Sequence, residues 1–349
     1  MRWLIKWPKA KRCSPYTTKQ NCIRLQKKNS QRYASVMNIT FCATHINPKA
    51  WLAELRLALP EHHIALWNEQ DPGSNPAAEA AIVWAPPQAF FDQQPQLQVG
   101  FNLGAGVDAL LQKTLPVNMA VIRLDDAGMS VQMAEYVTQA VVRYFREFAE
   151  LERDMRDGGW SFRRPRERSE FTVGVMGLGV LGQRVARALQ HFEYPVAGWS
   201  RSTKSLDGIT TFAGDKQLPD FMAACSAVVC LLPLTPDTRH ILRRDTLMHL
   251  PVGAYLINVA RGEHVVEADL LAMLDSGHVA GATLDVFSTE PLPSEHPFRS
   301  HPLIICTPHA SARTLRSESV AQIVGKFKQW VGGTPAAHLS GYVDAARGY

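Results

Sequence analysis

FTVGVMGLGVLGQRVARAL, residues 171–189, decides how the rest of the chain is read. Phe171 to Met176 clusters apolar residues as a buried strand does, and Gln183 to Leu189 continues with the period of an amphipathic helix. Between them Gly177, Gly179 and Gly182 stand at the G-x-G-x-x-G spacing. The first glycine permits a tight turn, the second lets backbone approach a pyrophosphate, and the third lets helix and strand pack closely. Such a turn also has ordinary structural uses. The apolar strand before it and the helix after it, in register, favour a dinucleotide seated on the helix's unpaired N–H groups, with Val180 and Leu181 beside it.

Downstream, VAGWS, AVVCLLPL, AYLINVA, GATLDVF and LIICTPH follow FTVGVM at helix- or turn-length intervals. Together they supply the strands of a complete doubly wound dinucleotide domain. Upstream, NITFCAT, HHIALW, AAIVWAPP, LQVGFNLGAG and MAVIRL are bounded by Pro, Gly, Asn or Asp and read as a first α/β unit. Between the units, Ala134, Val137, Val141, Tyr144, Phe145, Phe148 and Leu151 keep helical spacing. One long helix from about Ser130 to Asp157 is therefore predicted, ending at Gly158-Gly159. Thr314 to Trp330 is helical again and has no sheet of its own to cover. It is expected to cross back onto the first unit. The fold class is thus α/β, with two doubly wound parallel-sheet (Rossmann-like) domains. The substrate-binding one is discontinuous (37–125 with 312–349), and the dinucleotide-binding one spans 126–311.

The net charge of +5 misleads, because ten of the 37 Lys and Arg and none of the 32 Asp and Glu lie in residues 1–36. The rest carries −5, which gives no reason to propose a nucleic-acid partner. No stretch is apolar for long enough to span a membrane, and residues 1–36 lack the apolar core of a secretory signal. They read either as a basic tail or presequence, or as an extension upstream of a natural start at Met37. The strand that begins at once in Asn38 to Cys42 favours the extension. The six cysteines, Cys13, Cys22, Cys42, Cys225, Cys230 and Cys306, show neither a C-x-x-C pair nor zinc spacing, so no metal is expected. Cys225, Cys230 and Cys306 sit in apolar strand-like segments, as buried free thiols do, and a reducing cytoplasm is the plain reading.

In a dinucleotide fold the residue ending the second strand chooses the cofactor, an Asp or Glu there bonding the ribose hydroxyls of NAD. Here that place reads Trp199-Ser200-Arg201-Ser202-Thr203-Lys204, without a carboxylate. Arg201 offers a bidentate partner for a phosphate and Lys204 adds charge. A solvated basic loop is the alternative; the missing acid and the added base both favour NADP over NAD, which stays possible. The turn Gly104-Ala105-Gly106-Val107 is either a tight βα connection or a set of N–H groups facing an anion. Its place at a strand's carboxyl end favours the anion.

Arg261 follows INVA, Glu290 follows LDVFST and His309 follows IICTP. Each alone is unremarkable. Together they supply a fixed cation for a carboxylate, an acid/base that works near neutrality, and an acid that keeps that base protonated. Hydride transfer to a carbonyl needs this set.

With GAGV, GLGVLG, LLPLTPDT, INVARG, GATLDVFSTEPLP and TPHAS in this order, the chain from about Asn38 to Tyr349 resembles the D-isomer-specific 2-hydroxyacid dehydrogenase family. The VWAPP loop, the WSRS loop and the terminal VDAARGY place the resemblance in its glyoxylate- and hydroxypyruvate-reducing bacterial branch. The resemblance implies NADPH-dependent reduction of short 2-keto acids, glyoxylate to glycolate and hydroxypyruvate to D-glycerate. It implies that Arg261 grips the substrate's carboxylate and polarises its keto oxygen, that His309 donates the proton, and that Glu290 holds His309 protonated. Ala105, Gly106 and Val107 would add backbone contacts to the carboxylate, and Trp84 would wall the pocket unless it is an ordinary core residue. Leu232, Pro233 and Thr235 would line the dinucleotide, Ser200, Arg201, Ser202 and Lys204 would meet its ribose phosphate, and Asp285 would meet the nicotinamide carboxamide. A homodimer is expected on the same ground. The sequence departs from the family pattern at WSRS, and at Met129, whose bulk is expected to narrow the pocket. Two rivals remain: a catalytically silent dinucleotide-sensing protein of this fold, and a dehydrogenase of another 2-hydroxyacid.

Overall fold

In the computed structural model, residues 36–44, 46–344 and 347–348 are described. The expectations placed on the basic leader, and on Cys13 and Cys22, lie outside the described residues.

The first sheet holds β1 (Asn38–Ala43), β2 (His63–Leu66), β3 (Ala80–Trp84), β4 (Val99–Asn102) and β5 (Ala120–Ile122), all parallel, in the order β2-β1-β3-β4-β5. That is the flavodoxin-like order. Helices α1 (Pro48–Ala58), α2 (Gln88–Gln93) and α3 (Asp108–Leu111) connect its strands. Asn47 caps α1 through its side chain, which accepts from the Lys49 N–H, and Pro48 opens the first turn, where its missing N–H has no helical partner to lose.

Next come α4 (Met129–Phe145) and α5 (Phe148–Arg156), where the sequence predicts one helix. The break falls at Glu147, whose backbone is left-handed at φ 53°. The apolar residues on either side stay in helical phase, so the pattern shows no interruption although the axis turns.

The second sheet contains β6 (Val173–Met176), β7 (Val196–Ser200), β8 (Ile209–Ala213), β9 (Ala227–Cys230), β10 (Ala254–Asn258), β11 (Val279–Leu284) and β12 (Ile304–Cys306). They are parallel, in the order β12-β11-β10-β9-β6-β7-β8. Around it lie α6 (Val180–His191), α7 (Leu218–Ala223), α8 (Arg244–Leu247), α9 (Glu267–Asp275) and α10 (Pro297–Ser300). Every residue of β6, β9 and β10 is buried, as helices on both faces of a parallel sheet require. The strand missing from the sequence reading is β8, an edge strand whose ITTFA is only partly buried and therefore carries no apolar run. The order reverses between β6 and β9, which opens a crevice at their carboxyl ends.

On one face of this sheet α4 and α6 bring Val137, Val141, Val185 and Leu189 against Val175 and Ile257; on the other, Phe221, Leu256, Leu270 and Phe298 share a core. The last helix, α11 (Arg316–Val331), packs on α1 and buries Ile323, Phe327 and Trp330 in the core of the first sheet. The Phe327 and Phe101 rings meet edge to face at 6.2 Å. Losing a ring of this size from a closed core costs about 3–5 kcal/mol, so α11 is bound to the first sheet although the second sheet precedes it in sequence. Buried Lys326 ties it further, its ammonium donating to the Arg123 carbonyl at 2.7 Å and pairing with Asp125 at 3.0 Å. Cys42, Cys225 and Cys230 are buried free thiols and Cys306 is half-buried. Burial pushes the Cys225 thiol up to about 12.

Candidate active site

At the end of β6 the glycine turn has the geometry a dinucleotide needs. Gly177 adopts φ 101°, closed to other residues, and its N–H donates to the Trp199 carbonyl at 2.8 Å. A Cβ on Gly182 would collide with the Gly177 carbonyl, so this glycine sets how closely α6 approaches β6. A Cβ on Gly179 would meet nothing within 4 Å. Gly179 also begins α6 without a side-chain cap, and Val180 beside it is exposed, so the first turn of the helix is open to an anion. Leu181 is half-buried on the same turn.

Past β7, the buried Ser200 hydroxyl donates to the Ser202 carbonyl at 2.8 Å and folds the WSRS loop so that Arg201 and Ser202 are exposed. The Lys204 carbonyl accepts from Thr211 at 2.6 Å, fixing the far end of the loop. Past β9, buried Leu232 and Thr235 flank exposed Pro233, and Thr238 braces the turn by donating to the Pro233 carbonyl at 2.6 Å.

Strands β10, β11 and β12 are neighbours and parallel, so Arg261, Glu290 and His309 emerge on one edge. Glu290 and His309 are joined directly, Oε2 to Nδ1 at 2.8 Å, and Glu290 Oε1 accepts from the Phe287 N–H at 3.0 Å. Burial pushes the Glu290 carboxyl up, but the His309 bond, the Phe287 N–H and the charges of His309 and Arg261 outweigh it and hold the group below its ordinary value. With Nδ1 engaged by a carboxylate, Nε2 is the nitrogen left for a ligand. His309 itself is left-handed, φ 50°, and its N–H donates to the Asp285 and Thr307 carbonyls at 2.8 and 3.0 Å. Strained backbone of this kind persists only where its surroundings fix it.

Asp285 provides that fixing. It is fully buried, and its carboxylate accepts from the Thr307 hydroxyl at 2.6 Å and from the Ala310 and Ser311 N–H groups at 2.8 Å each. It lies beneath the His309 turn, where an enclosed carboxylate is satisfied by protein donors. Because Thr307 donates to Asp285, the Tyr136 hydroxyl on α4 must donate to Thr307. Burial pushes the Tyr136 phenol up to about 12, against the Thr307 bond, so it keeps that proton.

Arg261 reaches across to the first sheet. A Cβ on Gly106 would overlap its Nη2, so the guanidinium lies on the GAGV backbone, and Asp108 at the start of α3 pairs with it at 3.1 Å. The turn is shaped from below by buried Asn102, which donates to the Gly104 and Gly106 carbonyls at 2.9 Å each. Val107 is buried under it and Ala105 and Gly106 are half-buried. Trp84 is 37% exposed and its ring lies close against Gly104. Met129 is buried at the start of α4, after Gly128 at φ 79°. Fully buried His264 holds the Arg261 turn, its Nδ1 accepting from the Arg261 N–H at 3.2 Å. Gly262 is needed because a Cβ there would enter the Phe287–Ser288 backbone.

Asn102, Asp108, Tyr136, His264 and Thr307 are absent from the sequence reading. Only Asp108, adjoining GAGV, carries a signal that could have found it. Among the described residues no group of His, Cys, Asp and Glu is arranged to hold a metal ion, and no helix is long and apolar enough to cross a membrane.

Residues 138–311 match the family model described as D-isomer specific 2-hydroxyacid dehydrogenase, NAD binding domain. The chain is 42% identical over 319 residues to glyoxylate/hydroxypyruvate reductase A of Yersinia enterocolitica, covering 90% of this chain and all of that one. Among solved structures, a D-isomer specific 2-hydroxyacid dehydrogenase from Xanthobacter autotrophicus, in complex with NADPH and MES, superposes with TM-score 0.84 at 39% identity. The NADPH-dependent glyoxylate/hydroxypyruvate reductase of Sinorhizobium meliloti, with NADP and sulfate, superposes at 0.83 and 31%. Each covers 90% of this chain and the whole of its own.

Proposed function

The chain belongs to the D-isomer specific 2-hydroxyacid dehydrogenase family, as an NADP-dependent enzyme, and we propose that it reduces glyoxylate to glycolate and hydroxypyruvate to D-glycerate. The observation that carries this reading is the 2.8 Å bond from Glu290 to His309 Nδ1, on the same sheet edge as a guanidinium laid on the GAGV backbone.

The GLGVLG turn and the N-terminus of α6 hold the pyrophosphate, Arg201, Ser202 and Lys204 receive the ribose phosphate, and Leu232, Pro233 and Thr235 line the cleft. NADPH, when bound, supplies the hydride. The substrate's carboxylate lies on the N–H groups of Ala105 to Val107 and on Arg261, which also polarises the keto oxygen. His309 gives that oxygen a proton from Nε2, and Glu290 stabilises the protonated imidazole that does so. Asp285, through Thr307 and the Ala310 and Ser311 N–H groups, keeps the His309 turn in its strained pose. Trp84 walls the substrate end. A site with two of its surfaces on different sheets closes by bringing them together, which excludes water during transfer.

The proposed domains are 37–125 with 312–349 for the substrate and 126–311 for the dinucleotide, with a second copy of the chain as partner. Trp160 and Phe162, 76% and 92% exposed just beyond α5, support such pairing. His309→Asn tests the mechanism: kcat with glyoxylate and NADPH should fall on the order of 10²-fold or more, the scale of a lost acid/base. Turnover near the wild-type rate would remove His309 from it.

A further inference from the structure

Resting on the reading just given, we propose that Asp108 is a positioning residue that also sets affinity: it holds Arg261 side-on and tempers its grip on the substrate's carboxylate. Arg261 Nε approaches Asp108 Oδ1 and Oδ2 at 3.1 and 3.2 Å, Nη2 approaches Oδ1 at 3.1 Å, and Nη1 donates to the Ala260 carbonyl at 2.7 Å. A guanidinium has five N–H donors in one plane. Asp108 takes the Nε–H and Ala260 one N–H of Nη1, while Nη2 lies in ion-pair contact with Asp108, so the outer edge of the guanidinium is left for a ligand. The two side chains are only 28% and 23% exposed, and they come from different sheets, Asp108 from the end of the GAGV turn and Arg261 from the end of β10. The pair therefore spans the cleft at the point where the substrate's carboxylate is to lie.

Two consequences follow, of opposite sign. The planar group is fixed before substrate arrives, so less freedom is lost when the keto acid is oriented. The Asp108 carboxylate also cancels part of the guanidinium's charge and repels a second carboxylate brought to it. Substrate and hydroxyacid product carry the same carboxylate, so both are held loosely, and the orientation is kept for the reacting complex. Binding of that kind favours turnover over retention.

Asp108→Asn keeps the shape and removes the charge. In the full chain loaded with NADPH, oxamate, a 2-keto acid analogue that accepts no hydride, should bind about fivefold more tightly by titration calorimetry, and KM for glyoxylate should fall with it. The kcat should fall by about fivefold at the same time, because Arg261 is less firmly oriented. A merely structural role gives the reverse, weaker binding together with slower turnover. Should the Asn variant not fold, Asp108→Ser, which is small enough to leave Arg261 its room, carries the same readouts. Unchanged or weaker oxamate binding in the folded variant overturns the proposal while wild-type activity on glyoxylate stands. A wild-type enzyme that does not oxidise NADPH with glyoxylate overturns instead the reading on which the proposal rests.

Discussion

Replacing Glu290 by Gln keeps the shape of the side chain and removes the charge beside His309. A charge-assisted bond such as the 2.8 Å contact between Oε2 and Nδ1 contributes roughly 1.5–3 kcal/mol when enclosed. Here the two side chains are 36% and 45% exposed, and solvent screening brings the value down to about 1.4 kcal/mol, a factor of about ten. The sign follows from the Glu290 carboxyl, which titrates below its ordinary value and is therefore ionised at every working pH. Its stabilisation of the fold is present above the ordinary carboxylate pKa and is lost only as pH falls through the lowered value. Through the neutral range its charge favours the protonated imidazole. Along the alkaline limb of kcat/KM for glyoxylate, measured at saturating NADPH, Glu290→Gln should accordingly lose about tenfold. On the acid side of that limb the variant keeps most of its activity, since protonation there needs no help. A limb that coincides with the wild-type limb would refute the role given to Glu290, and so would a uniform loss at all pH values, which would reduce the residue to a brace for the loop.

Arg201→Ala should raise KM for NADPH by roughly 10- to 100-fold and leave KM for NADH unchanged, the loss expected for one charge-assisted phosphate contact. Equal effects on both cofactors in initial-rate assays would remove Arg201 from phosphate recognition. Gly106→Ala places a methyl on Arg261 Nη2, so kcat/KM for glyoxylate should fall by about 100-fold while NADPH binding, followed by its fluorescence, stays as in the wild type. Near-normal kcat/KM would show that the guanidinium does not work from its place on the GAGV backbone.

Much of the fold was legible because parallel strands enclosed on both faces are written as unbroken apolar runs, and FTVGVM, AVVC and AYLIN are such runs. At β8 that rule gives no signal, since an edge strand with one open side can be ITTFA. The turn from α4 to α5 was invisible for a related reason: Phe145 and Phe148 remain in helical phase across a single left-handed residue, Glu147. In the candidate site, the residues at strand ends were legible from their position and chemistry, whereas those that hold them were not. Tyr136 on α4 meets Thr307 across 171 residues and Arg261 meets Asp108 across 153. No local pattern encodes a contact that distant, and Tyr136 looks in sequence like one more member of an apolar helix face. Asp285 is a further case: its place in LDVF marks a strand end, whereas its complete burial and its bonds to Thr307, Ala310 and Ser311 beneath the His309 turn have no local signature.

The most direct measurement is the rate of NADPH and NADH oxidation by the full chain, followed in parallel with glyoxylate, hydroxypyruvate and pyruvate. Reduction of glyoxylate and hydroxypyruvate with NADPH, and markedly slower reaction with NADH or with pyruvate, is the expected result. Failure to oxidise NADPH with either of the first two, or a preference for NADH, would contradict the assignment of both the Arg261–His309–Glu290 site and the WSRS loop.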